Sequence, residues 1–189
     1  MKVDHLVSDQ QLLRHWANGL TLARALAGLP LILLLCWHQE SLAWLLLLCG
    51  GMTDAADGWL ARKAGGGSNW GARLDPLADK LLIAAPMLWL TSQDILPVWA
   101  VWMLIARELV ISGWRSLETT GAPASTSGKA KTILQFICLL MLLWPPLWSN
   151  QNISNVIKSL GWWLFWPSLF MAMISAWNYI NHQSKNHQY

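Results

Sequence analysis

Apolar residues come in runs too long and unbroken for the half-buried helices of a water-soluble domain. A helix needs about 20 predominantly apolar residues to cross the hydrocarbon core of a bilayer. Windows of roughly that length fall at 18–37, 41–62, 72–91, 95–115, 131–148 and 156–180. The breaks between them are short and polar. They include His38-Gln39-Glu40, Ser92-Gln93-Asp94, and a turn expected over Asn150 to Asn155. Pro145-Pro146 closes the fifth window, because proline has no amide to donate to a helix. The Asn152-Ile153-Ser154 tripeptide fits a glycosylation sequon but reads as part of that turn. Upstream, Leu6 to Trp16 forms a short helix with Leu12, Leu13 and Trp16 on one side, suited to lying along a membrane surface. The pattern predicts an all-α membrane protein with six transmembrane helices and a short N-terminal interfacial helix. It makes 1–189 one membrane domain, with 1–17 interfacial, 18–180 the six-helix core and 181–189 a cytoplasmic tail.

Composition strengthens this picture. Charged residues make up 12% and apolar ones 54%, against about 25% charge in an ordinary soluble domain. The chain has 15 Trp but 2 Tyr and 3 Phe. Trp16, Trp37, Trp70, Trp144 and Trp148 fall near the ends of apolar runs, where amphipathic rings favour the membrane interface. Cys36, Cys49 and Cys138 lie in apolar runs without metal-ligand spacing and read as small buried hydrophobes. The first 16 residues mix acids and bases, so no cleavable signal is expected and the first span serves for insertion. A net charge of +3 scattered among apolar segments speaks against nucleic acid as a partner.

Lys and Arg placement sets the expected orientation. Arg62, Lys63 and Arg73 flank one connection, and Arg115, Lys129 and Lys131 another, whereas the opposite loops carry almost no positive charge. Both termini and these two basic loops are therefore expected in the cytoplasm, in a bacterial-type cytoplasmic (inner) membrane.

One stretch departs from the apolar theme. Asp54, Asp57, Asp75 and Asp79 lie between two spans. Asp54, Asp57 and Ala61 share a helical face beside Gly58, and Asp75 and Asp79 are i, i+4 on the next helix. Four carboxylates so close cannot all stay ionised without a counter-charge. Their hard oxygen donors suit one or two Mg²⁺ or Mn²⁺ ions. Gly58 and Ala61 leave room for a phosphate group to approach the backbone, and Arg62 is a forked donor for its oxygens. The competing reading is an ion or proton transporter. Its ionisable residues should spread through the membrane's depth, whereas these cluster towards one side.

The order Asp-x2-Asp-Gly-x2-Ala-Arg-x8-Gly-x3-Asp-x3-Asp, filled by Asp54, Asp57, Gly58, Ala61, Arg62, Gly71, Asp75 and Asp79, resembles the signature of the CDP-alcohol phosphatidyltransferase family. The resemblance implies a six-span, metal-dependent enzyme facing the cytoplasm. In it Asp54, Asp57 and Asp75 ligate metal. Gly58, Ala61, Arg62 and Gly71 belong to the CDP-lipid site. Asp79 is general base and further ligand. The family commonly forms homodimers, which is what the resemblance implies for assembly.

Arg107, Ile111 and Arg115 follow one face of the fourth span, and Lys129 and Lys131 open the fifth. Intramembrane charges turn inward to cavities, so Arg107, Arg115, Lys129 and Lys131 form a candidate site for an acceptor phosphate, with Glu108 orienting one Arg. A structural ion pair and plain positive-inside topology compete with that role. These segments, with Asn18-Gly19-Leu20-Thr21-Leu22-Ala23-Arg24, resemble the branch that joins CDP-diacylglycerol to sn-glycerol 3-phosphate. Phosphatidylglycerol and inositol phosphate are the alternative acceptors. Thr21 and Arg24 stay outside the core set.

If Asp79 is the base, Asp79→Asn should abolish CMP release while CDP-diacylglycerol binding is partly retained. Full turnover in that variant would remove Asp79 from the role.

Overall fold

A computed structural model describes residues 19, 22–63, 69–117 and 126–186, with the backbone alone at 54–63, 69–77, 79, 114–117, 126–130 and 180–186. The interfacial helix expected over 6–16 lies outside them. Every regular element among the described residues is helical: α1 (Leu22–Cys36), α2 (Glu40–Lys63), α3 (Asn69–Ser92), α4 (Val98–Leu117), α5 (Thr126–Leu142), a 3₁₀ turn at Pro146–Trp148, and α6 (Gln151–Asn186). The chain divides into two compact units, Met1–Pro86 and Met87–Tyr189.

The expected polar breaks close in one way. After α1, Gln39 N donates to Leu34 O at 2.8 Å and His38 N to Leu35 O at 3.1 Å, with His38 at φ 56°. After α3, Ile95 N donates to Leu90 O at 3.0 Å and Asp94 N to Thr91 O at 3.1 Å, with Asp94 at φ 57°. Both are Schellman ends, which satisfy otherwise orphaned helix carbonyls through one left-handed residue. Each turn lets the chain leave its helix within a few residues.

In the first unit α1 packs on a stripe formed by Arg24, Gly28, Leu31 and Leu35, while Leu22, Leu26, Leu29 and Leu33 are exposed. Gly28 admits α3 closely: a Cβ there would lie 3.2 Å from Leu81 O and 3.3 Å from the Ala85 Cβ. Gly50 does the same between α2 and α3, where an added Cβ would meet the Leu82 Cδ2 at 2.6 Å.

The second unit is built on α6. Its buried positions Ser154, Gly161, Phe165, Ser168, Leu169 and Ala172 keep helical spacing and carry the packing against α4 and α5. That periodicity corrects the turn expected over Asn150 to Asn155. Asn150 O already accepts the Ser154 amide at 3.0 Å, and Ser154 is buried, so the helix begins at Gln151 despite the polar composition. At its other end α6 continues to Asn186, through most of the segment expected as a tail. α5 stops at Leu142, earlier than the expected 148, with Pro145-Pro146 leading into the 3₁₀ turn. The cysteines also divide: Cys138 is buried, its thiol donating to Gly161 O at 3.1 Å, but Cys36 and Cys49 are exposed. They sit on the outward faces of α1 and α2, where apolar character reflects the surroundings and not the core.

Exposure is inverted relative to a water-soluble protein. Trp102, Trp163 and Trp177 are 66–68% exposed, whereas Arg24 and Lys131 are 3% exposed. Contiguous exposed apolar surface marks an interaction with protein or membrane. Among the described residues, Gln151–Tyr179 is both long and apolar enough to cross a membrane, and Leu22–Cys36, Glu40–Thr53, Lys80–Ser92 and Lys131–Leu142 are shorter apolar helices.

Glycine substitutions test this packing. At Gly161 a Cβ would lie 2.9 Å from the Met141 Cβ and 3.0 Å from Leu142 N, atoms that cannot swing away. Gly161→Ala should cost about 1–3 kcal/mol by overpacking, read as a lower thermal midpoint in detergent. At Gly113 an added Cβ meets nothing within 4 Å, so Gly113→Ala should be neutral or slightly stabilising. Equal midpoints for the two variants would refute the close α5–α6 contact.

Candidate active site

The acids lie where two buried stripes run on towards the connection between α2 and α3. In α2 the stripe through buried Ala43 and Leu47 and half-buried Gly50 has the helical register, at about 100° per residue, of Asp54, Gly58 and Ala61, with Asp57 at its edge. In α3 the stripe through Leu82, Ala78 and Ala85 extends through Asp75 and Gly71, with Asp79 at its edge.

The Gly50–Leu82 contact sets the register between these antiparallel helices. Seven residues on from Gly50 is Asp57, and seven back from Leu82 is Asp75. Four on is Asp54 and four back is Ala78, beside Asp79; eleven on is Ala61 and eleven back is Gly71. Thirteen residues bring both counts to the helix ends, Lys63 and Asn69. At about 1.5 Å rise per residue, the backbones of all four acids occupy a slab roughly 6 Å thick. Arg62 lies in the last turn of α2.

This donor set fits a divalent cation. The backbones of Asp54, Asp57, Asp75 and Asp79 lie on α2 and α3, and their side chains are outside the described set; carboxylate oxygens are the donor type that hard divalent cations take. Among the described side chains no group of three His, Cys, Asp or Glu residues comes together. Arg24, outside the core set by sequence, lies on the packing stripe of α1. Four residues back from the Gly28 contact with Leu81 and Ala85, it comes level with this slab.

The basic residues of the second unit are organised by Glu108. Arg107 Nη1 donates to Glu108 Oε1 at 2.8 Å, and Lys131 Nζ donates to the same oxygen. Arg107 also reaches α6, with Nε on Ala172 O at 3.2 Å and Nη2 on Ser175 Oγ at 3.0 Å. Arg107, Glu108 and Lys131 side chains are 9%, 23% and 4% exposed. The structure therefore brings two of the four acceptor candidates onto one carboxylate. Arg115 and Lys129 lie in the last turn of α4 and the first of α5, their side chains outside the described set. One turn beyond Lys131, buried Gln135 has its Nε2 3.9 Å from Met87 Sδ. Nothing in the sequence singled out Ser175, because a lone serine in an apolar helix has many uses.

The family model described as CDP-alcohol phosphatidyltransferase matches residues 14–174. A Rickettsia bellii protein named CDP-diacylglycerol–glycerol-3-phosphate 3-phosphatidyltransferase is 31% identical over 169 residues, 86% of this chain and 91% of the relative. Relatives of the same name occur in Bacillus subtilis, 36% identical over 140 residues (72% of this chain, 70% of the relative), and in Rickettsia typhi, 31% identical over 174 residues (88% and 96%).

Glu108 is the keystone of the basic cluster, since its loss leaves two buried cations facing each other. Removing one partner of a buried pair costs about 3 kcal/mol or more. Glu108→Gln should therefore lower the unfolding midpoint in detergent more than Lys131→Met, which leaves the Arg107–Glu108 pair intact. The reverse order would show that Glu108 does not organise the cluster.

Proposed function

Because the chain belongs to the CDP-alcohol phosphatidyltransferase family, we propose that it transfers the phosphatidyl group of CDP-diacylglycerol to sn-glycerol 3-phosphate. The products are phosphatidylglycerophosphate and CMP, a step of phospholipid biosynthesis. The observation that carries the reading is the eight-position acidic pattern laid across two antiparallel helices, with Asp57 level with Asp75 and Ala61 level with Gly71. Relatives bearing that enzyme name support the choice of acceptor.

Asp54, Asp57 and Asp75, with Asp79, hold one or two Mg²⁺ or Mn²⁺ ions. A bound divalent ion neutralises charge on the diphosphate and on the phosphoryl group in transfer. Gly58, Ala61 and Gly71 leave space along the backbone for the cytidine diphosphate, and Arg62 donates to its oxygens. Asp79 takes the proton from the attacking hydroxyl of the acceptor. The hydroxyl oxygen bonds to the lipid-side phosphorus, the bond from that phosphorus to the bridging oxygen breaks, and CMP leaves. Arg107, Arg115, Lys129 and Lys131 attract the acceptor's phosphate, with Glu108 holding Arg107 and Lys131 in place.

The family is membrane-associated. In the proposed arrangement residues 1–189 form one membrane domain whose six helices cross the bilayer, a short N-terminal helix lies on its surface, and both termini face the cytoplasm. The inner membrane holds the protein with its site on the cytoplasmic side. The lipid substrate enters from the bilayer, the water-soluble acceptor enters from the cytoplasm, and two copies assemble as a homodimer. The outward-facing apolar side chains and buried charges support this embedding. α6, with 36 residues, spans about 54 Å at 1.5 Å per residue and so outruns the hydrocarbon core.

Membranes containing the chain should release CMP from CDP-diacylglycerol only when sn-glycerol 3-phosphate and Mg²⁺ or Mn²⁺ are both present. Chelation should abolish turnover, and metal should restore it. CMP release with phosphatidylglycerol or inositol phosphate instead would reassign the acceptor. No release with any acceptor would overturn the enzyme reading.

A further inference from the structure

The reading of Arg107 as part of the acceptor-phosphate site leaves open what aims it, and the contacts from α6 answer that. A guanidinium is planar and carries five N–H groups in a rigid fork. Its Nε and one Nη2 N–H share a side edge, and here that edge is met by Ala172 O at 3.2 Å and Ser175 Oγ at 3.0 Å, one helical turn apart on α6. Two acceptors along one edge fix both the plane of the group and its rotation about the side chain. With Nη1 on Glu108 at 2.8 Å, three of the five N–H groups are committed. The two left are one on Nη1 and one on Nη2, the Nη2 one at the end of the fork.

We propose that Ser175 is a positioning residue for the acceptor: with the Ala172 carbonyl, it holds Arg107 side-on so that the end of its guanidinium is presented to the phosphate of the acceptor alcohol. Three features favour this over simple packing. Ser175 supplies the one side-chain hydrogen bond between Arg107 and α6 among the described residues. Ala172 is fully buried, so the second half of the clamp is backbone with no freedom to follow the arginine. Arg107 itself has a side chain only 9% exposed, so water cannot readily replace a lost partner. Without the hydroxyl, the guanidinium can pivot about its Nε bond towards Glu108, which also holds Lys131.

The test is steady-state kinetics on the full chain reconstituted in lipid, with CDP-diacylglycerol and sn-glycerol 3-phosphate varied separately. Ser175→Ala should raise KM for the acceptor about tenfold or more, the order expected when a hydrogen bond to a charged group is removed. Its kcat and its KM for CDP-diacylglycerol should stay within about twofold of the parent, a split that marks lost binding and not lost chemistry. Ser175→Thr, which keeps a hydroxyl, should restore the acceptor KM. An unchanged acceptor KM in Ser175→Ala, alongside a raised one in Arg107→Lys, overturns the role of Ser175 and leaves the acceptor site standing. An unchanged acceptor KM in Arg107→Lys removes Arg107 from that site, and the inference goes with it. A lower unfolding midpoint in Ser175→Ala with unaltered kinetics makes Ser175 merely structural and also overturns it.

Discussion

A charge taken from water into an apolar interior costs several kcal/mol unless other groups replace its solvent. The second unit is arranged around that cost. Arg107 and Lys131 sit in the bundle of α4, α5 and α6 where Glu108 meets both and α6 offers Arg107 a carbonyl and a hydroxyl. The cluster ties α4 to α5 and to α6, so the helix packing and the charges stabilise each other. Apolar side chains are turned outward as a consequence, since the interior is where polar groups can be satisfied.

The first unit meets the same constraint differently. Its helices are apolar stems whose small residues, Gly28 and Gly50, allow close approach to α3. Where α2 and α3 adjoin their connection, the buried stripes turn acidic. Close packing sets the geometry along the stems, and the acids inherit their alignment from it. The proposed cation site then needs no scaffold of its own.

Much of this was legible in the chain. Long apolar windows located the helices, because a bilayer demands length and a turn demands polar or left-handed residues. The spacing of Asp54, Asp57, Asp75 and Asp79 located the candidate site, because helical periodicity converts spacing into shared faces. Other features were not legible for identifiable reasons. Asn150 to Asn155 is locally polar, yet Ser154 falls on the buried stripe of α6 and tertiary packing extends the helix. Cys36 and Cys49 looked buried because apolar neighbours mean core in water but surroundings in lipid. Ser175 and the Ala172 carbonyl meet Arg107 across more than sixty residues of chain, a pairing that no local pattern encodes. Arg24 was visible as an oddity, but its depth emerged only through the contact of Gly28 with α3.

The hairpin between α2 and α3 gives the motif's least chemical feature, the eight residues separating Arg62 from Gly71, a mechanical meaning. Ala61 and Gly71 stand level only because the chain leaves α2 and re-enters α3 after a fixed count. An inserted or deleted residue within either helical arm would rotate the positions of the carboxylates by about 100° out of alignment. The helical arms, through their count of residues, are what such a spacing constrains.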